Sequence, residues 1–117
     1  MLGLLIACGG ESAGGFVSAD VQVDGAPKGE VWSSDPQVCV SGSEVLVAWS
    51  DERDRGQGVW VNRSENGGER WLADVQRADE GVATAQSPSV ACQPGAAVVV
   101  WEDNRDGSLD VPNIYAR

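Results

Sequence analysis

Trp49-Ser50-Asp51-Glu52-Arg53-Asp54 returns, at an offset of 52, as Trp101-Glu102-Asp103-Asn104-Arg105-Asp106, and this echo decides how the rest of the chain is read. A phrase of aromatic, acidic and basic residues repeated at a fixed spacing marks a duplicated supersecondary unit. Working outward, Pro36-Gln37-Val38 answers Pro88-Ser89-Val90 at the same offset, and Ala19-Asp20-Val21-Gln22 answers Ala73-Asp74-Val75-Gln76 at 54. Val59-Trp60-Val61-Asn62-Arg63 answers Asn113-Ile114-Tyr115-Ala116-Arg117, also at 54, which leaves two extra loop residues in the second copy.

Within each copy the periodicity is that of strands. Val45-Leu46-Val47-Ala48-Trp49 and Ala96-Ala97-Val98-Val99-Val100-Trp101 are apolar on both faces, and such strands are expected to be covered on both sides. Trp71, Ala73 and Val75 alternate with Leu72, Asp74 and Gln76, the pattern of a half-exposed outer strand. Turn signals at Ser41-Gly42-Ser43, Arg55-Gly56-Gln57-Gly58, Asn66-Gly67-Gly68, Pro94-Gly95 and Asp106-Gly107 divide each copy into four short strands. Fifteen Gly, five Trp and many Val agree with an all-β chain. Four antiparallel strands per repeat, buried on both faces, predict a blade of a β-propeller.

The turn between the copies, Ser64-Glu65-Asn66-Gly67-Gly68-Glu69-Arg70-Trp71, resembles the Asp-box pattern S-x-D-x-G-x-x-W of the sialidase-like (BNR-repeat) β-propeller family. Ser64, Gly68 and Trp71 match, and Asn66 stands where the family carries Asp. The third position needs a short oxygen-bearing side chain to accept hydrogen bonds from turn amides, and Asn retains that acceptor without the charge. Gly68 permits a positive φ, and Trp71 can fold back as an apolar plug beneath the turn. The likeness covers about residues 16 to 117 and implies a structural role for the box, on the side of the blade away from an active site.

The same resemblance implies a glycosidase alternative. Sialidases use a Tyr nucleophile with a Glu partner and three Arg that clamp the substrate carboxylate. This chain has one Tyr, Tyr115, at a position where the family packs an aromatic side chain, and it lacks the Arg-Ile-Pro tripeptide that carries the first clamp arginine. No catalytic position carries over, so any enzymatic reading is that of non-catalytic blades of an exo-α-sialidase or related hydrolase. Arg53 and Arg105 are expected to pair with Asp51 and Asp103 within their turns, because occurrence in both copies fits a folding device better than a unique site.

Other chemistry finds little support. Glu102, Asn104, Asp106 and Asp110, with Gly107 at the sixth place, are spaced like a calcium loop, but Asn113 stands where a bidentate Glu is needed. The chain has no His and no C-x-x-C pair, which removes zinc sites and Ser-His triads, and it has no Gly-rich phosphate loop. No metal or cofactor is expected. Eighteen Asp and Glu against eight Lys and Arg, a net charge of −10, speak against nucleic acid as a partner.

The start of the chain differs from the rest. Leu2 to Ala7 is a small-and-apolar run ending at Cys8, and Leu5-Ile6-Ala7-Cys8 resembles a bacterial lipobox, which implies cleavage and lipidation at Cys8. It departs from that pattern in lacking a positively charged leader start. The expected organisation is a lipoprotein-type segment at 1–8, a Gly-rich tether at 9–15, repeat 1 at 16–70 with its Asp box at 64–71, and repeat 2 at 71–117, stopping before its own box. Such a chain would sit at the cell envelope or outside the cell, touching the membrane only through a lipid anchor. Cys39 aligns with Ala91 and Cys92 with Val40, so the two thiols lie one residue out of register on equivalent strands and point to opposite faces. Neighbouring blades pack with opposite faces together, which would bring Cys39 to Cys92; otherwise both thiols stay free.

The sequence thus predicts an all-β, sialidase-like propeller fragment of two four-stranded antiparallel blades, the second incomplete. Its function is expected to be that of a binding or scaffold module, with a carbohydrate or an envelope protein as partner. Two blades do not close a ring. The remaining blades are expected from a longer form of this chain, or else from three copies closing six blades as a homotrimer.

Overall fold

In the computed structural model, residues 19–54, 56–81, 84–107 and 111–117 are described; the lipobox-like segment with Cys8, the tether, residues 16–18 of the first repeat and Arg55 lie outside them. The described residues contain no helix. They form β1 (Ser33–Ser41), β2 (Glu44–Asp51), β3 (Gly58–Ser64), β4 (Gln76–Arg77), β5 (Ala85–Gln93), β6 (Ala96–Asp103) and β7 (Asn113–Ala116). A four-stranded sheet has the order β1-β2-β3-β4, a three-stranded sheet has the order β5-β6-β7, and every pairing is antiparallel.

The two sheets are built alike to the level of register. Ser33 pairs with Asp51 and Ala85 with Asp103; a bulge interrupts β1 between Ser34 and Gln37 and β5 between Gln86 and Ser89. Inside the bulges Asp35 and Ser87 take φ of 52° and 53°, a conformation that costs a non-glycine residue about 1 kcal/mol or more and that bends the strand locally. Both precede a proline, Pro36 and Pro88, which has no amide proton to offer the ladder. Pro94-Gly95 turns β5 into β6 with Gly95 at φ 75°, the pairing that a type II turn requires.

Three expectations need correction. The third strands do not align at 54: Trp49 lies opposite Trp60 and Trp101 opposite Tyr115, so Tyr115 is the counterpart of Trp60 and the true offset is 55. A shift of one residue exchanges the faces of a strand, and pairing to the Trp of β2 and β6 decides which face is right. The outer strand expected over Trp71 to Gln76 shrinks to Gln76–Arg77. Upstream of it, the Leu72 amide donates to the Arg63 carbonyl at 3.1 Å and the Leu72 carbonyl accepts from the Asn62 side chain at 3.1 Å, so this backbone closes the turn after β3. Finally, β6 is not covered on both sides: Ala96, Ala97 and Val98 are exposed.

The core lies between the sheets. Ala48 and Val59 from the first sheet, Ala85, Val99 and Trp101 from the second, and Ala78 from the connection are buried together, with Leu46, Val61, Val90 and Tyr115 packed around them. The faces that meet are opposite faces of equivalent sheets, since the first contributes its Cys39 side and the second its Cys92 side. A Cys39–Cys92 disulfide joins them, with the Cα atoms 5.6 Å apart. Closing a loop across a separation of 53 residues should stabilise the fold by about 4 kcal/mol in the chain-entropy account. The double variant Cys39→Ser/Cys92→Ser is therefore expected to lower the unfolding free energy from urea titration by about that much; a loss below about 1 kcal/mol would mean that the sheets are held by packing alone.

Candidate functional site

The two ends of the sheets are chemically distinct. At one end lie the Asp51 and Asp103 termini of β2 and β6; at the other lies the turn that follows β3. The first is where charge concentrates.

Asp51 is wholly buried. Its Oδ2 accepts the indole Nε1–H of Trp49 at 3.1 Å and the Nε–H of Arg53 at 2.9 Å, while Oδ1 accepts the Arg53 amide at 2.7 Å. Asp103 repeats this arrangement: Trp101 Nε1–H donates at 3.1 Å, the Arg105 amide at 2.8 Å, and the Arg105 guanidinium forms the ion pair. Each arginine then stacks on the aromatic residue of the third strand, Arg53 4.7 Å from the centre of a Trp60 ring and Arg105 4.0 Å from the centre of Tyr115. Each also reaches back to the segment entering its sheet: Arg53 donates to the Asp24 carbonyl at 2.7 Å, and Arg105 pairs with Glu80 at 3.1 Å. The copies differ in one respect: Arg53 uses its Nε, whereas among the described residues the buried Nε of Arg105 has no partner.

A third arginine joins this end. Arg77 of β4 lies 5.7 Å from the centre of a Trp60 ring and donates its Nε–H to Asp79 at 3.0 Å. Asp79 in turn accepts the Val59 amide at 2.9 Å and the Gly81 amide at 2.8 Å, pinning the connection between the sheets to β3. Ser33 bridges Asp24 at 2.8 Å and Asp51 at 3.2 Å. Neither Asp24 nor Asp79 was picked out in the sequence. The signal was an Arg77-x-Asp79 spacing that reverses Asp51-x-Arg53, masked by the one-residue offset change beside it.

Electrostatics follow from this wiring. Burial pushes the Asp51 and Asp24 carboxyls up, but hydrogen bonds win in both, from Arg53 and Trp49 to Asp51 and from Gln22 and Ser33 to Asp24, and both sit below the usual 3.8. Asp103 is lowered first by its hydrogen bond from Arg105, against burial, and the same bond holds the Arg105 guanidinium more firmly protonated. All three arginines have carboxylate partners. What the cluster does chemically is clasp loops to sheets: Arg53, Arg77 and Arg105 are each committed to a carboxylate, and among the described residues no group of three potential metal ligands converges. The acidic loop spaced like a calcium site is used otherwise: Glu102 accepts from Gln86 at 3.2 Å, Asn104 accepts the Thr84 amide at 2.9 Å, and Asp103 is engaged as above. Asp110 lies outside the described residues.

At the opposite end, the Ser64–Trp71 turn uses its three matching positions and the variant Asn66 together. Ser64 is buried; its Oγ accepts the Gly68 amide at 2.9 Å and donates to Asn66 Oδ1 at 2.9 Å, which also accepts the Arg70 amide at 2.8 Å. Gly68 sits at φ 93°, where a Cβ would lie 3.9 Å from the folded-back Trp71 ring. The Gly67 amide donates to the Ser43 carbonyl at 2.7 Å and ties this turn to the β1–β2 hairpin.

Comparison of the chain with models of known protein families, with curated proteins and with solved structures finds no match.

Asp51→Asn leaves the Arg53 guanidinium beside a neutral group and should cost about 3 kcal/mol in urea denaturation, whereas Glu52→Gln, at an exposed neighbour, should cost under about 0.5. Carboxylates lowered in the folded state stabilise it above their unfolded pKa, and that contribution is lost as pH falls through the folded values. Stability should therefore stay level from about pH 7 to 5 and drop below about pH 4, with a shallower drop in Asp51→Asn. In the turn, Asn66→Ala should cost about 1–2 kcal/mol while Asn66→Asp retains the wild-type midpoint at neutral pH; equal losses in both would show that the acceptor oxygen is not what matters.

Proposed function

We propose that this chain is a pair of blades of an Asp-box, sialidase-like β-propeller, serving as a non-catalytic binding or scaffold module at the cell envelope and held there by a lipid anchor at Cys8. The observation that carries the reading is the duplicated Trp–Asp–Arg clasp, in which the two arginines best placed to act as an anion clamp are already neutralised by Asp51 and Asp103. The Asp-box hydrogen bonds at the other end of the first sheet, and the pairing of that sheet with a second of the same register, support the blade assignment. A glycosidase would need Tyr115 free to attack, whereas Arg105 lies 4.0 Å from its ring centre. Carbohydrate or envelope protein remains the partner class this module would serve, through loop or face contacts with no covalent chemistry. The test is hydrolysis of a fluorogenic sialoside by the purified chain. The expected result is no release above buffer; turnover that disappears in Tyr115→Phe would overturn the proposal and return the chain to the hydrolases.

A further inference from the structure

Two surfaces of the molecule lie open, the outer face of the second sheet and the β1 part of the outer face of the first, whose β2 and β3 part has Val45, Trp49 and Asn62 buried; each copies a face that is closed elsewhere in the same chain. On the first sheet, Cys39, Ala48 and Val59 face the second sheet; their counterparts Ala91, Val100 and Ile114 lie on the outer face of the second. On the second sheet, Pro88, Val90 and Cys92 have as counterparts Pro36, Val38 and Val40, on the outer face of the first. The difference in cover is large at matched positions. Val59 is 0% exposed and Ile114 is 71% exposed; Pro88 is buried, whereas Pro36 is exposed and Val38 is 61% exposed. An open groove of about 290 Å³ beside Pro36, lined also by Val23, Asp24, Val47 and Trp49, lies on the same outer face.

A strand edge repeats the pattern. Gln76 and Arg77 pair with Val61 and Trp60 of β3. Their counterparts, Gln22 and Val23, belong to no strand, while β7, the counterpart of β3, stands at the edge of its sheet. A strand needs a partner to form, which explains why the β4-like sequence at Ala19–Val23 is not a strand here.

We propose that a second copy of this chain docks on the first head to tail, reproducing the interface already present between its two sheets. The outer face of one copy's first sheet, with Val38 and Val40, covers the outer face of the other's second sheet, with Val98 and Ile114. Gln22 and Val23 of the incoming copy extend the edge at Tyr115 and Ala116. The contact is heterologous, each copy using a different surface, so it propagates to a ring or a filament. None of these matched positions carries a charge. The inference rests on the blade reading of the two sheets.

The register supplies a direct test. Val40 occupies the place of Cys92 and Ala91 that of Cys39, so cysteines there should meet between copies as Cys39 and Cys92 meet within one. In a Cys8→Ser background, Val40→Cys and Ala91→Cys chains are purified separately, mixed in equal amounts and oxidised under mild conditions. The expected product is a mixed disulfide dimer, on the order of tenfold more abundant than either homodimer, together with concentration-dependent assembly of the unoxidised chain in sedimentation. Ile114→Glu, at an exposed position, should abolish the mixed dimer without changing the circular dichroism spectrum. A folded chain that stays monomeric, or homodimers as abundant as the mixed product, would overturn the docking while leaving the blade reading to the sialoside and turn-variant tests.

Discussion

A buried carboxylate at the end of the middle strand is the interaction on which each sheet depends. Asp51 and Asp103 each receive an indole, a backbone amide and a guanidinium, so one side chain closes the loop after the strand, fixes the arginine and orients the Trp two residues back. Removing such a charge from water is costly unless its acceptor sites are filled. Here they are filled from three directions, and the same arginine then stacks on the next strand and reaches the segment entering the sheet. One residue thereby couples four pieces of backbone that would otherwise be joined only through short ladders.

That clasp has a functional consequence. An arginine already bonded to a buried aspartate has little left to offer a ligand anion, and an aromatic ring covered by it is poorly placed to react. The chemistry of this end of the molecule is directed inward. The opposite end is likewise committed, with Ser64 and Asn66 consuming the amides of the turn and Gly67 tied to Ser43. What the sheets leave outward includes large apolar side chains, Val38 and Val40 on β1 and Val98 and Ile114 on the second sheet.

Much of this was legible in the chain because duplication turns a weak pattern into a strong one. Trp-x-Asp-x-Arg occurring twice pointed to a folding device and to the partners of both arginines. The matching Pro-x-Val phrases located the first strand of each sheet, and the out-of-register cysteines carried the geometry that places Cys39 opposite Cys92. Legibility failed where the copies differ in length. The longer loop before β7 hid the equivalence of Trp60 and Tyr115, because a one-residue shift still leaves an apolar residue opposite an apolar residue. The alternation through Trp71, Ala73 and Val75 reads as a strand, but backbone hydrogen bonds of Leu72 to Arg63 and Asn62 bind that stretch to the turn. Burial on both faces could not be read from β6 either, since its apolar residues mark what the strand can pack against and not what covers it.

The central claim is that two equivalent buried carboxylates organise two equivalent sheets. Hydrogen exchange of the tryptophan indole protons in a ¹⁵N-labelled sample tests it most directly, because Trp49 and Trp101 donate to those carboxylates while Trp32, 75% exposed, provides an internal reference. The account predicts that the Trp49 and Trp101 indoles exchange together and on the order of a thousandfold or more slower than Trp32, opening only with the cooperative unfolding of the sheets. Exchange of either indole at the rate of Trp32 would contradict it.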